Sequence, residues 1–269
     1  MEKTNPSLCT VLIASCDKYG DILRPFSILW KRYWPDCPFP TVLVTESEPE
    51  NRDELCFQRV FAQGRGGCWC SRLVEALQQI DTPYILLLCD DYFLSAPVQT
   101  GRMLDRLEQM RQFQAVNLRM IPNPVPTRPF REDLQLMEYE KDTAYCIATQ
   151  AGYWDRHFLL SLASRVDSIW EFERYGSFAC GKESRPLLCT REKEFPFVDA
   201  IHKGNWEPFG VSLCRENGID IDFSVRGLPT RFNRLVEWGK GVILNINPTL
   251  IVRLQNLLGI GKKENRSRG

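Results

Sequence analysis

The sequence predicts an α/β domain with a mostly parallel central sheet flanked by helices. Two observations carry that reading. The stretch Pro83-Tyr84-Ile85-Leu86-Leu87-Leu88-Cys89-Asp90-Asp91-Tyr92-Phe93-Leu94 holds five unbroken apolar residues that stop at two adjacent carboxylates. An apolar run of this kind reads as a strand buried on both faces, as in a parallel sheet. Strand-like and helix-like segments also alternate through the first 120 residues, the order expected of a parallel α/β sheet.

Residues 10–15 read as a first buried strand. Asp17, Lys18 and Tyr19 follow in a loop hinged at Gly20, and Asp21 is placed to cap a helix carrying Leu23, Phe26, Trp30 and Tyr33 at helical spacing. Trp34-Pro35 ends that helix. Residues 41–45 read as a second strand, 46–54 as a polar loop and 57–61 as a third strand. Gly64-Arg65-Gly66-Gly67 is a flexible turn before a helix over 69–80 striped by Leu73, Leu77 and Ile80. The Asp-Asp strand comes next, then a helix over 97–113 and a strand over 115–118.

The second half is less regular. Four prolines within 121–129 predict a long loop without regular structure. A strand is expected at 145–150, helices at 156–164 and 168–175, a late strand at 196–201, and a helix over 207–217 ended by Gly218. This asymmetry divides a single domain over residues 1–240 into a nucleotide-binding half, about 8–120, and an acceptor-side half, about 121–240. Residues 241–269 form an amphipathic, basic tail, with an apolar face over 250–258 and then Lys262, Lys263, Arg266 and Arg268. Such a tail suits peripheral contact with an anionic membrane surface, or docking on the domain.

Composition narrows the function classes. Lys plus Arg equals Asp plus Glu at 34 each, so no overall field favours nucleic acid. No apolar run reaches the roughly 18 residues needed to span a bilayer. The eleven cysteines are odd in number, Cys16, Cys89 and Cys146 lie in or beside apolar runs, and residues 1–6 carry no signal peptide. A reducing cytoplasm is the expected setting, possible membrane contact being on its cytoplasmic face. Cys68-Trp69-Cys70 lacks the spacer and second pair of a zinc site.

Ligands of parallel sheets bind beyond the carboxyl ends of the strands. Asp90 and Asp91 sit there, either solvated in a cleft or matched to a cation, because an isolated buried carboxylate is very costly. Two hard oxygen ligands suit Mg²⁺ or Mn²⁺ carrying a diphosphate; Asp residues capping a helix are the alternative. Ser15, Asp17 and Tyr19 occupy the loop after the first strand, where base and ribose contacts are made, or else cap the next helix. The Gly64–Gly67 turn lacks both Walker and dinucleotide patterns. It suits a phosphate cradled at a helix N-terminus with Arg65 or Arg72 adding charge, or a plain turn. In Ser168-Ile169-Trp170-Glu171-Phe172-Glu173 the two acids lie two apart, so only one faces a given cleft. A carboxylate beside Trp170 is desolvated and suited to act as a base; acids complementing a helix dipole are the alternative. His157 and His202 are the only histidines. No nucleophile elbow accompanies them, and His202 reads as a phosphate or metal contact or as a surface turn residue.

In order along the chain, Ser15-Cys16-Asp17-Lys18-Tyr19 with residues 33–38, residues 69–80, Leu87-Leu88-Cys89-Asp90-Asp91-Tyr92-Phe93, Gln150-Ala151-Gly152-Tyr153-Trp154, Trp170-Glu171-Phe172-Glu173 and Lys203-Gly204-Asn205-Trp206 resemble bacterial glycosyltransferases of the type A (GT-A) fold. These are the enzymes of capsule and O-antigen polysaccharide synthesis, and the likeness covers about residues 8–225. The resemblance implies a Rossmann-like GT-A domain and sugar transfer from a nucleotide-sugar donor to a glycan or lipid-linked oligosaccharide acceptor. It implies donor binding by Ser15, Asp17, Tyr19, Arg65, Trp69, Arg72 and Asp90, and a divalent cation, Mn²⁺ or Mg²⁺, on Asp91. It implies an inverting displacement with Glu173, or second Glu171, as base, and Trp170 and His202 as further site candidates. The family's spaced Asp-x-Asp is here Cys89-Asp90-Asp91-Tyr92, which bears on metal dependence. A sugar-phosphate nucleotidyltransferase would want a Gly-rich, Lys/Arg-bearing loop after the first strand, which Asp17-Lys18-Tyr19 does not supply. A catalytically degenerate GT-A domain that binds sugar nucleotides or assembly partners is the alternative outside the enzymes.

Overall fold

The computed structural model describes residues 8–141 and 143–228; the tail read at 241–269 lies outside them. Among the described residues the centre is a nine-stranded sheet. Its strands in chain order are β1 (Cys9–Ala14), β2 (Thr41–Thr45), β3 (Arg59–Ala62), β4 (Tyr84–Cys89), β6 (Asn117–Arg119), β7 (Arg128–Arg131), β8 (Leu136–Glu138), β9 (Gly152–Asp155) and β10 (Leu187–Thr190). Across the sheet the order is β3-β2-β1-β4-β9-β6-β10-β8-β7. Only β9 and β8 run against the rest, so the sheet is mostly parallel, as expected. The short strand β5 (Tyr92–Leu94) leaves this sheet to pair with β11 (Phe197–Asp199), and β12 (Ile201–His202) pairs with β13 (Asn205–Trp206).

Helices cover both faces: α1 (Leu23–Tyr33), α2 (Trp69–Gln78), α3 (Thr100–Gln112), α4 (Arg156–Ala163), α5 (Ile169–Ala179) and α6 (Pro208–Glu216). The apolar runs of β1 and β4 serve both faces by simple alternation. Val11, Ile13, Leu86 and Leu88 pack into one core with Phe26, Trp34 and Phe93. Leu12, Ile85 and Leu87 pack into the other with Leu73, Leu77, Trp154 and Phe172. Two-sided burial explains why residues 11–14 of β1 and 85–88 of β4 are all apolar.

Several expectations are corrected. Asp21 caps nothing: α1 begins after Ile22 with no side-chain cap, and the Asp21 carboxylate holds Arg226 instead. The strand expected at 145–150 is irregular, and the ladder is made by β9 a few residues later. Tyr145 adopts a left-handed φ of 61°, and the buried Arg119 guanidinium takes the carbonyls of Tyr145 and Cys146, which removes them from any ladder. Pro129 does enter a strand, β7, whose register slips between Pro129 and Arg131; the sheet edge tolerates a missing donor. The short strands β8 and β10 were not expected.

Gly152 shows how tightly the reversed strand sits. A Cβ there would meet the Leu118 carbonyl oxygen at 2.9 Å and Arg119 Cα at 3.0 Å. Gly152→Ala should therefore force backbone apart and cost about 1–3 kcal/mol, read as a lower urea midpoint at unchanged slope. An unchanged midpoint would contradict the close approach of β9 to β6.

Candidate functional site

The strand ends of β1 and β4 open into a cleft of about 470 Å³ with Asp90 and Asp91 on its floor and Ser15, Tyr19, Trp69 and Trp170 among its walls. Parallel pairing sets Ala14 opposite Cys89, so the next residues of the two strands meet. Ser15 Oγ donates to Asp90 Oδ2 at 2.5 Å. Asp90 is buried; that burial pushes its carboxyl up to about 7, against the Ser15 bond and the charge of Arg226. Asp91 is held well above the usual range by burial, then by Asp90 and Asp199. Its backbone carbonyl accepts from Ala200 N at 2.8 Å, and β5 pairs Tyr92 with Asp199. Asp199 is itself raised by burial, with Lys193 and His202 opposing. His202 lies exposed in β12, beside Asp199 and outside the cleft walls.

Arg226 is the cation that answers these acids. Its Nε and Nη2 donate to Asp21 at 2.8 and 2.5 Å, Nη2 also donates to the Lys18 carbonyl, and the guanidinium lies 4.7 Å from the Tyr19 ring centroid. The Tyr19 pKa is raised by burial and then by Asp91 and Asp90, with which it lines the cleft. Neither Arg226 nor Asp199 stands out in the sequence. Arg226 meets a partner 205 residues earlier, and no periodicity marks the segment that carries it.

Asp17 and Arg65 belong to a neighbouring cavity of about 450 Å³ that shares the Cys16 wall with the first. Asp17 accepts from Ser47 N, Ser47 Oγ and Arg65 Nε, each at 2.8 Å. Slight desolvation notwithstanding, those bonds hold its carboxyl below the usual range. Glu46 was not singled out by the sequence, yet it joins the two cavities. Its Oε2 accepts from Asp17 N at 3.0 Å and its Oε1 from the buried Arg72 at 3.2 Å. Arg72 also donates to the Gly67 carbonyl at 2.7 Å, so it pins the glycine turn. Cys68 caps α2 by accepting from Ser71 N.

Helix α5 separates its two acids. Ser168 Oγ accepts from Glu171 N, and Glu171 Oε2 accepts from Asp167 N at 3.1 Å. This reciprocal arrangement is close to a capping box, and Glu171 is exposed. Glu173 faces inward. Its Oε1 accepts from Thr149 N at 2.9 Å and Thr149 Oγ1 at 2.8 Å. Burial raises its pKa, against the Thr149 bonds and the charge of Arg119. Its charge reaches Cys89 and Tyr92, which flank the Asp pair. Trp170 is 58% exposed at the cleft wall, and Trp69 packs edge-on against Phe172 at 5.5 Å.

Asp90 and Asp91 fit a divalent cation. They are adjacent hard oxygen donors, their charge is held off by raised pKa values, and the Asp91 carboxylate has no side-chain hydrogen bond or ion pair among the described residues. No group of three or more His, Cys, Asp or Glu among those residues is placed to hold a metal ion, so further ligands have to come from a bound anion or water. No helix among them is long and apolar enough to cross a membrane.

No family model matches the chain, and no curated protein does. Solved structures similar to it include the mannosyltransferase PcManGT from Pyrobaculum calidifontis in complex with GDP-Man and Mn²⁺, at 12% identity and TM-score 0.48, covering 73% of this chain and 57% of that one. Residues 1–349 of TarS from S. aureus match at 12% identity and TM-score 0.44, covering 70% and 59%. A cytidylyltransferase from Leptospira borgpetersenii matches at 13% identity and TM-score 0.44, covering 83% and 98%. The matched part is thus under two thirds of the length of the first two. Likeness this distant assigns no activity.

The acid pair has a consequence for stability. Between the ordinary value of 3.8 and about 7 the folded protein keeps a proton on Asp90 that the unfolded chain has released. The folded state then binds more protons, so this contribution falls as pH rises through that window. In chelator, wild type should lose stability relative to Asp90→Asn between about pH 4.5 and pH 7.5, on the order of a few kcal/mol. Parallel pH profiles in urea unfolding would show that Asp90 is not buried as described.

Proposed function

We propose that the chain is a glycosyltransferase that moves a sugar from a nucleotide-sugar donor to a glycan or lipid-linked oligosaccharide acceptor, in the manner of bacterial surface polysaccharide synthesis, with inversion at the anomeric carbon. One observation supports this reading: an acid pair at the end of β4 stands in an open cleft walled by the first residues of α5, Ile169 and Trp170, and the same helix carries a separately held, desolvated Glu173 whose charge reaches Cys89 beside the pair. Displacement at an anomeric carbon needs both, one to bind the leaving diphosphate and one to take the acceptor proton.

In this reading Asp91, with Asp90 turned toward ribose or donor sugar, holds a divalent cation on the diphosphate. When bound, the cation neutralises charge on the departing nucleoside diphosphate. Ser15 keeps Asp90 oriented. Tyr19 and Trp69 flank the donor, while Arg72 fixes the glycine turn and the first loop through Glu46. Asp17 and Arg65 line the adjoining cavity, sized for the nucleoside end. Trp170 stands on the acceptor side. Glu173 Oε1 is fixed by Thr149, and its carboxylate accepts the acceptor hydroxyl proton as that oxygen attacks. A base with a pKa raised by burial is better matched to a proton transfer near neutrality than an ordinary glutamate. Glu171 is engaged in capping and takes no part, and His202 opposes the shift of Asp199 from outside the cleft. A tail at 241–269 that contacts the cytoplasmic face of the membrane would bring the enzyme to lipid-linked acceptors.

The experiment is a thermal-shift screen against UDP, GDP, dTDP and CMP, each with and without Mn²⁺. One nucleotide should raise the midpoint, more so with Mn²⁺, and Asp91→Ala should abolish the Mn²⁺-dependent part. Silence with all of them would count against a nucleotide-sugar site. With the donor so identified, Glu173→Gln should leave its affinity intact and lower turnover by roughly 10²–10⁴-fold, whereas Glu171→Gln should lower stability slightly and spare turnover. Because the Glu173 pKa is raised, kcat/KM should fall on the acid side at a pH above the usual glutamate range.

A further inference from the structure

Two buried thiols meet behind Glu173. Cys146 and Cys180 have their Sγ atoms 3.3 Å apart, and both side chains are shut off from solvent. Cys180 directly follows α5, and Cys146 lies in the irregular segment that carries Thr149. Ser177 binds the two elements together: its Oγ donates to the Glu173 carbonyl at 2.7 Å and accepts from Ile147 N at 3.1 Å. The Arg119 guanidinium donates to the Cys146 carbonyl at 2.8 Å. It is fully buried, donates to the carbonyls of Asn123 and Tyr145 as well, and lies over the Tyr139 ring.

We propose that Cys146 and Cys180 are a hydroperoxide-reactive thiol pair that closes to an intramolecular disulfide. Buried cysteines are usually inert, and burial does push core thiols such as Cys9 and Cys89 up. Cys146 differs. Its contact with Cys180 draws its pKa down against burial, helped by Ser177 and by the charge of Arg119. The thiolate is the reactive form, and a resolving thiol already stands in contact. The sulfurs need to approach only from 3.3 Å to about 2.0 Å for a bond.

The steps balance as follows. The Cys146 thiolate attacks one oxygen of a hydroperoxide, the O–O bond breaks, and the sulfur is oxidised to a sulfenic acid as the peroxide is reduced to alcohol or water. The Cys180 thiol attacks that sulfur, the S–O bond breaks, and hydroxide leaves as water with the Cys180 proton. Two thiols and one hydroperoxide give one disulfide, one alcohol and one water. A peroxide is small, and so better suited than a bulky disulfide reagent to reach a shielded pair.

The bond would draw the Thr149 segment toward the end of α5 and so disturb the clamp on Glu173. This consequence, unlike the pair itself, rests on the function proposed above.

The test uses the full chain. Folded protein is treated with hydrogen peroxide, its remaining thiols are alkylated, and it is digested with trypsin without reductant. Cleavage falls between the two cysteines at Arg156, Arg165 and Arg174, so a bridge joins the peptides of residues 142–156 and 175–182. The expected result is that linked pair, lost on reduction, with Cys180→Ser instead trapping a sulfenic acid at Cys146 that a dimedone-type probe labels. Should Cys180→Ser fold poorly, Cys180→Ala serves for the same labelling. Free, alkylated Cys146 and Cys180 after treatment that oxidises exposed thiols would overturn the pair, whether or not the protein is a transferase. Where transfer is measurable, oxidation should lower turnover by roughly tenfold or more at unchanged donor affinity, restored by dithiothreitol. A bridge with full turnover would overturn the coupling alone.

Discussion

A buried carboxylate pair that lacks an equal number of cations constrains the whole strand-end region. Asp90 is oriented by Ser15 across the β1–β4 pairing, and a slip of one residue in that register would turn both side chains to the other face. The β5–β11 ladder then adds Asp199. Against three acids stand Arg226, already shared with Asp21, Lys193, whose own charge burial disfavours, and His202, beside Asp199. The region can retain protons or accept a cation. A cleft in that condition is poised to gain free energy from binding, because a ligand that brings positive charge relieves repulsion already present.

Legibility of the sequence followed the source of each residue's constraint. The first half was legible because the apolar runs and helical stripes there are set by burial on two faces: the expected strands at 10–15 and 41–45, and the apolar run that stops at Asp90-Asp91, lie within a residue or so of β1, β2 and β4. The second half failed where side chains claim backbone groups. Arg119 takes two carbonyls at 145–146, so an apolar run that looks like a strand is not one. The acid pair was legible as a break in an apolar run. Arg226 was not, since its meaning comes from a partner at the far end of the chain. The reach of Glu46 to both Asp17 N and Arg72 is likewise a tertiary fact.

Helix geometry separates the two glutamates that sequence order left close. Residues two apart on a helix point about 200° apart, so with Phe172 and Gly176 packed inward, Glu173 lies at the edge of the buried face while Glu171 faces water. The pattern Ser168-x-x-Glu171 was itself a readable signal, since Ser followed three residues later by Glu marks a helix start. Read that way, it favours Glu173 for chemistry without any structure at all.

The environment of Glu173 also accounts for Arg119, a charge that is costly to bury. Three carbonyls from two segments converge on it, which fixes the loop that ends in Thr149. Its field opposes the desolvation of Glu173. Burial raises the carboxyl above its ordinary value; the two Thr149 bonds oppose that rise first, and the Arg119 charge adds to them. A useful base lies between a fully exposed and a fully desolvated carboxylate. Arg119 thus fixes the loop that grips Glu173 and adds its charge to the Thr149 bonds that oppose that group's desolvation.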